Sequence, residues 1–591
     1  MKTNVCICGG GNLGHVVTGF LAAHDNCEVS LLTRHPERWQ KQLSINTPEG
    51  IHLQGSVSHI SANPAEVIPE ADIVLLCLPG FSIREELQLI CPFLSTKTAV
   101  GSIVSSTGFF FEAKATLPAK TPLFGFQRVP FIARTTEYGR SATLLGYKPT
   151  LHVAIEQTEE KESLRALIEQ LLSTPTVLME SFYEVSLTNS NPILHPSRLY
   201  TMWKGWHEGV IYPEPSLFYE EWTDEASQLL IDMDREFFKL LDVLPVRKGS
   251  IPTILDYYES TDAPSLTRKL QSIDAFKGIH SPMKQVEGGY IPDFDSRYFT
   301  EDFPYGLYII QKLAREYHIN TPIIDKVMAW GLRTRFNLEG SLLRRQQMRM
   351  LEILLEVDKI CKKHHIRYWL SSGTLIGAMR HNGYIPWDDD LDIEMLRSDY
   401  VRLMEVLPKE LPNWLALQNS DTDPNYFYFY AKVRDRRSRM LEQNGYDRLW
   451  QEQGIYIDIF PMEQHPIWLH KLTEKTVGHM YKIWRTSTND KKAIRSVRRI
   501  FNINNKVLFP ILRLICKILP GKVITSGMGI PFHNPRYIDE IFPLTTHEFE
   551  GHLLPVPGNA DAHLRHIFGD YMQLPDLNKL TLHVGKLEFL D

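Results

Sequence analysis

The chain contains no run of about 20 uninterrupted apolar residues, so nothing in it is expected to span a bilayer. Cysteine is scarce: seven among 591 residues, without the paired spacings of a zinc site. That argues against a disulfide framework and for a reducing, cytoplasmic setting. A basic surplus is also missing. The net charge is -6 and the isoelectric point near 6.4, which argues against a general nucleic-acid binder. Internal repeats, low-complexity tracts and long Gly/Ser or Pro linkers are absent. The first residues lead directly into a strand and a glycine turn, so no secretory leader is expected. What remains is an ordinary globular composition, 43% apolar and 23% charged, in a chain of 591 residues. This is too long for a single core. An α/β multidomain protein is expected, in three parts: residues 1–150, 151–335 and 336–591.

The first part opens on a short apolar run, Asn4–Cys8, followed by Gly9-Gly10-Gly11-Asn12-Leu13-Gly14 and then a helical pattern. Strand, G-x-G-x-x-G and helix in this order form the phosphate-binding turn of a Rossmann domain. Gly9 would make the tight turn, Gly11 with Asn12 would let a pyrophosphate approach, and Gly14 would let helix and strand pack closely. The second strand, Glu28–Leu32, ends in Thr33-Arg34-His35 and not in an acidic residue. Arg34 would pair with a 2′-phosphate, favouring NADP(H) over NAD(H); alternatively it is a solvated loop residue. Ala71–Pro79 and Ala99–Ser105 read as further buried parallel strands.

From residue 151 the periodicity becomes helical, with apolar residues three and four apart in Ser163–Leu172, Glu225–Leu241 and Tyr305–Tyr317. Two motifs carry chemistry. Asn191-Pro-Ile-Leu-His195-Pro196 sets a carboxamide four residues before an imidazole. Arg297-Tyr-Phe-Thr-Glu-Asp302-Phe-Pro304 offers a guanidinium and a carboxylate. His195 is suited to general acid/base work at a carbonyl or imine, with Asp302 orienting it and Arg297 clamping a substrate carboxylate. The bland alternative for His195 is a satisfied loop histidine. With the glycine turn, these motifs resemble the octopine/opine dehydrogenase family over residues 3–330. That resemblance implies reduction of the imine between an amine and a 2-oxo acid, with Asn191 among the substrate-binding residues.

The last part holds the most explicit chemistry. Leu370–Glu394 reads LSSGTLIGAMRHNGYIPWDDDLDIE, with Asp388, Asp390 and Asp392 at alternate positions and a glycine turn at Ser371-Ser372-Gly373. With Leu391–Met395 read as a strand, the three carboxylates would share one side, as a hydrated Mg2+ (or Mn2+) holding phosphates requires. Gly373 and its neighbours would offer N–H groups to phosphate. This run resembles the signature of the LicD family, which includes phosphocholine transferases and fukutin-related proteins. Ala431-Lys432-Val433-Arg434-Asp435, Gly454–Pro461 and Phe568-Gly569-Asp570-Tyr571 extend the likeness over about residues 340–580. It implies a nucleotidyltransferase-like α+β fold that moves a phospho-alcohol from a CDP-linked donor to a glycan acceptor. In that scheme Asp388, Asp390 and Asp392 are the metal ligands and Asp458 stands near the acceptor hydroxyl. Lys432 and Arg434, two apart on a strand, would hold the donor pyrophosphate or be ordinary exposed charges.

Between Lys491 and Lys522 there are nine Lys/Arg and no acid, interleaved with Ile, Val, Leu and Phe. The segment reads either as an interfacial helix pair touching the inner membrane face, where a lipid-linked acceptor would lie, or as a basic face over the domain's own core. Taken together, the chain is expected to be a bifunctional cytoplasmic enzyme. Two alternatives stand beside that reading: a sugar- or polyol-phosphate reductase at the N-terminus that makes the donor precursor, and a non-catalytic NADP-binding scaffold.

Overall fold

A computed structural model describes residues 2–336, 340–518, 523–532, 534–577, 579–580 and 584–590. The chain divides into two compact units, Met1–Arg335 and Phe336–Asp591.

The first unit is built on an eight-stranded sheet. In spatial order its strands are Thr176–Leu178, Leu151–Glu156, Leu123–Phe126, Ala99–Ser102, Ile73–Leu76, Thr3–Cys8, Cys27–Leu32 and His59–Ser61. All neighbours run parallel except Leu123–Phe126 against Leu151–Glu156. Parallel strands are covered on both faces, and the first strand shows how. Val5 and Ile7 join the apolar layer on one face, Cys6 and Cys8 the layer on the other, following the two-residue alternation of a strand. Chain order reverses at Thr3–Cys8, with Cys27–Leu32 on one side and Ile73–Leu76 on the other. Such a switch point opens a crevice at the carboxyl ends of the strands.

Two features depart from the sequence reading. The sheet continues through Leu151–Glu156 and Thr176–Leu178, and the helix Lys161–Leu172 covers it, so the mainly helical layer starts after Leu178 and not at 151, and it includes one antiparallel strand pair, Met283–Val286 with Gly289–Pro292. Periodicity registered that one helix and missed the short strands flanking it. A second sheet, ordered His52–Ser56, Gln42–Asn46, Ser141–Tyr147 and Phe131–Glu137, packs on the helix Asn12–Ala22. A Cβ on Gly19 would lie 2.6 Å from Ile45 side-chain carbons, so glycine is what allows this approach. The helical layer includes Asn191–Trp203, Asp224–Leu241 and Tyr308–Glu316, with a wide π-helical segment at Tyr298–Leu307.

The second unit centres on a six-stranded mixed sheet. Along its main path lie Trp369–Leu370, Asp392–Leu396, Tyr456–Gln464, Ala431–Asp435 and Leu415–Gln418, and Ile524–Ser526 pairs with Tyr456–Gln464. Helices Leu342–Lys363, Ser372–His381 and Arg397–Glu410 enclose its core. Register sets the chemistry here: Asp458 stands opposite Asp392 on one side and Lys432 on the other. A helical module, Ile467–Thr486 followed by Asp490–Ile518, packs on an aromatic cluster including Phe427, Trp450 and Trp484. No helix among the described residues is long and apolar enough to cross a membrane. The last four residues of the basic run, 519–522, lie outside the described residues.

Candidate active sites

In the first unit, the glycine turn follows the central strand at the switch point. Gly9 has φ +119°, and a Cβ there would stand 2.6 Å from the Cys77 carbonyl oxygen, so a side chain is excluded twice over. At Gly14 a Cβ would collide with the Gly9 carbonyl, whereas at Gly11 nothing lies within 4 Å. The helix Asn12–Ala22 begins at Gly11 with no side-chain cap and no acidic residue in its first turn. Its first N–H groups and the positive end of its dipole thus face an open space suited to a pyrophosphate. His15 braces the turn. Its Nδ1 lies 2.9 Å from the Gly11 carbonyl, and its Nε2 accepts the Gly139 N–H at 2.7 Å. This fixes the neutral tautomer, and burial holds the imidazole below its ordinary range. The Asn12 carboxamide oxygen accepts the Thr135 N–H at 2.9 Å, tying the turn to the second sheet. Arg34 is exposed and stands 3.7 Å from an exposed Glu85, so its guanidinium is loosely held at the strand end.

Asn191 and His195 are four apart on the helix Asn191–Trp203 and share a face. His195 is buried. Its Nδ1 lies 2.7 Å from Asp302 Oδ2, to which it donates, and its Nε2 lies 3.0 Å from the Tyr219 hydroxyl. Asp302 lies on the π-helical segment, four residues after Tyr298. Asp302 and Tyr298 both face His195, the Tyr298 ring edge-on at 4.6 Å. On the same repeat Phe299 stacks on Phe303 at 5.3 Å, and exposed Arg297 acts electrostatically on Glu301.

Tyr219 is a site residue that sequence reasoning missed. It sits in an irregular segment held by buried Arg198, which donates to the carbonyls of Phe218 and Glu221 at 3.1 and 2.6 Å. Burial pushes the Tyr219 hydroxyl far above its ordinary range, so it stays protonated at neutral pH.

Glu301 was missed as well. Its carboxylate accepts the Gly80 N–H at 3.1 Å, at the start of the helix Gly80–Ile90, while its Oε1 is buried without a partner among the described residues. Burial raises it from 4.5 to about 7. Between those values the folded chain binds more protons than the unfolded one, so stability falls as pH rises through this window. Glu301→Gln should remove that slope. By calorimetry the variant's first unit should match wild type near pH 4.5 and exceed it above pH 7, by on the order of 2 kcal/mol. Parallel pH profiles of the two proteins would reject this account.

In the second unit a cavity of about 840 Å³ opens beside the acidic loop, lined by Gly373, Asp388, Asp390, Asp392, Lys432 and Asp458 among others. The strand begins only at Asp392, so alternation along a strand is not what aligns the first two carboxylates. They lie on the preceding loop, whose peptides are pinned by Gln346 donating to the Asp389 carbonyl and Gln347 to the Asp388 carbonyl. Asp389 turns away and accepts the Val584 N–H. Gly373, near the start of the helix Ser372–His381, lets Asp388 come close: a Cβ there would be 2.5 Å from its Oδ2.

Among the described residues no three His, Cys, Asp or Glu side chains stand as a preassembled metal site. The donor set nonetheless suits a hard divalent cation. Burial, then Asp390, Asp458 and Asp388 in turn, push the Asp392 carboxyl well above its ordinary range, and a cation would relieve that repulsion.

Lys432 and Arg434 do share a side of their strand, both over the Tyr456 ring, but they are not exposed charges. Lys432 Nζ stands 2.8 Å from Asp458 and 3.6 Å from Glu442. Arg434 is fully buried and does not line the cavity. It donates to Gln418 Oε1 at 2.7 Å and the Gly454 carbonyl at 2.9 Å, and lies 3.5 Å from Glu442. Arg434 therefore does not reach a pyrophosphate in the cavity, contrary to the expectation from its strand position. The counter-charges that bury it come from strands the local pattern does not reveal. Burial raises Asp458 to about 6, with Lys432 pulling the other way.

Comparison with known proteins follows this division. The family model described as "Ketopantoate reductase PanE/ApbA" matches residues 5–126, and "NAD/NADP octopine/nopaline dehydrogenase, alpha-helical domain" matches 178–333. "LicD/FKTN/FKRP, nucleotidyltransferase domain" matches 365–512. Opine dehydrogenase of Haliotis discus hannai is 28% identical over 362 residues, 56% of this chain and 89% of the relative. Lipopolysaccharide cholinephosphotransferase LicD of Haemophilus influenzae is 29% identical over 255 residues, 39% of this chain and 92% of the relative. A solved octopine dehydrogenase with NADH and L-arginine has a TM-score of 0.52 at 26% identity, covering 58% of this chain and 92% of its own. The N-terminal half resembles octopine dehydrogenases, a Rossmann-like domain followed by a helical one, and the mixed α/β C-terminal half resembles LicD.

Proposed function

We propose that the chain carries two enzymes: a nicotinamide-dependent reductase joining an amine to a 2-oxo acid, and a metal-dependent transferase moving a phospho-alcohol from a CDP-linked donor to a surface glycan. The observation that carries the reductase reading is His195 buried between Asp302 and Tyr219 in a layer like that of opine dehydrogenases. A bound nicotinamide would supply the hydride to the imine carbon. Asp302 fixes the His195 Nδ1–H and stabilises the imidazolium, leaving Nε2 to exchange a proton. His195, through Tyr219 or directly, delivers that proton to the imine nitrogen, so the C=N bond becomes a C–N bond with one hydride and one proton added. Arg297 binds the substrate carboxylate and Asn191 adds a polar contact on the His195 face.

In the transferase, Asp388, Asp390 and Asp392 would hold a divalent cation, which neutralises donor phosphates when bound. The start of the helix Ser372–His381 offers N–H groups to the same phosphates. Asp458, shared with Lys432, accepts the acceptor hydroxyl's proton as its oxygen attacks the phosphorus and CMP leaves.

The test is a screen of NADPH and NADH oxidation with 2-oxo acids paired with amines, beside transfer from CDP-choline in Mg2+. Oxidation with some pair, absent for each partner alone, is expected; tight nicotinamide binding without any turnover would reject the reductase. Cofactor choice is assigned to Arg34. Arg34→Asp should weaken NADPH by roughly 10–100-fold, the value of a charged hydrogen bond, and spare NADH, as read from KM. An unchanged preference would leave Arg34 away from the ribose.

A further inference from the structure

Outside both sites the described residues hold one extended apolar surface on a helix. Asp490–Ile503, Asn504–Leu508 and Phe509–Ile518 run on without a break. Their buried side is led by Val497, Phe501 and Phe509, which join the aromatic cluster of the module. On the outside, Ile503, Val507, Ile511, Leu514, Ile515 and Ile518 are all exposed, from 45% at Ile515 to 81% at Ile518. Their spacings of three and four residues place them on one stripe. The segment thus has two apolar faces, of which the fold uses one.

The stripe is bordered by charge of a single sign. Lys506 precedes Val507 as Lys517 precedes Ile518, so both lysines fall on the same edge; Arg498 and Arg499 are exposed one turn upstream. No acidic residue occurs between Lys491 and Lys522. A second copy of this chain would bring the same basic rim against this one, and like charges oppose that pairing. An anionic lipid surface satisfies both features: headgroups pair the rim while the stripe enters the acyl boundary.

We infer that this helix docks the second unit on an anionic lipid surface. The docked face is coupled to the cavity by short, rigid links. Arg513 donates to Glu463 at 2.8 and 2.9 Å, on the strand that carries Asp458. Phe429 stacks on Phe501 at 4.5 Å and packs on Phe509 at 5.1 Å, between Tyr428 and Tyr430, which line the cavity.

Flotation of the full chain with phosphatidylcholine vesicles, with and without phosphatidylglycerol, tests the docking. Wild type should float with the anionic vesicles and less so in high salt. Ile511→Asp with Leu514→Asp, both exposed positions, should lower partitioning by roughly tenfold or more. Lys506→Glu with Lys517→Glu should do the same only on anionic vesicles. Equal melting curves would establish that the variants fold. A wild type that stays unbound, an aspartate variant that floats like wild type, or a stripe that drives self-association without vesicle binding would each overturn the inference. Flotation needs no turnover, so docking with no transfer activity would count against the transferase reading alone.

Discussion

His195→Ala should slow reduction by roughly 10²–10⁴, the usual size of general acid/base assistance, with nicotinamide binding unchanged. Both ring nitrogens are engaged, one by Asp302 and one by Tyr219, so the loss should appear in kcat more than in KM. Two companions divide the roles. Asp302→Asn keeps a similar shape but cannot stabilise the imidazolium, and its rate should fall and its pH profile shift. Tyr219→Phe keeps the ring that stacks on Phe276 at 4.0 Å and removes only the hydroxyl. If that hydroxyl relays the proton, the variant should lose rate with little change in KM. If it merely blocks Nε2 in the free protein, the variant should be as fast as wild type or faster. A His195→Ala enzyme with an intact rate would place the proton donor elsewhere.

Asp392→Asn should abolish transfer while leaving nicotinamide oxidation untouched. One ligand lost from a cation that neutralises phosphates costs several kcal/mol, or roughly 10³-fold in rate. Asp392 is the better test than Asp458, because Asp458 also neutralises Lys432, and removing one partner of a buried pair costs stability by itself, about 3–5 kcal/mol. Asp392 instead suffers repulsion from Asp390, Asp458 and Asp388. Without metal the variant should be at least as stable as wild type, and the stabilisation that Mg2+ gives the second unit should shrink. Near-normal transfer in Mg2+ would remove the aspartates from the metal-binding role.

How much of this was legible in the sequence depended on the range of the interactions. The turn Gly9–Gly14 announces itself because tight backbone geometry admits only glycine at fixed offsets. Asn191 and His195 are legible as a pair by their spacing, but the helix that puts them on one face is not, because it carries Pro192 and Pro196. The second sheet was not readable, since Ser141–Thr143 lies alongside Ser44–Asn46 and no local pattern encodes a pairing so distant in the chain. Tyr219 escaped for the same reason: it reaches His195 from an irregular segment held by Arg198. Ala431–Asp435 misled in the opposite sense. Its alternating charges look half exposed, yet all five residues are buried, because Gln418, Glu442 and Asp458 arrive from other elements to satisfy them.

The run Phe427–Lys432 serves both the cavity and the helical module. Tyr428, Tyr430 and Lys432 border the cavity, while Phe427 meets Trp484 at 5.5 Å and Phe429 meets Phe501. Tyr428 does both, since it borders the cavity and also joins the module's aromatic cluster, its ring 6.2 Å from that of Tyr481. A substitution at Tyr428 would therefore alter the cavity wall and the packing of the helical module together. The wall of the cavity and the seat of the module are thus constrained jointly, by residues one position apart.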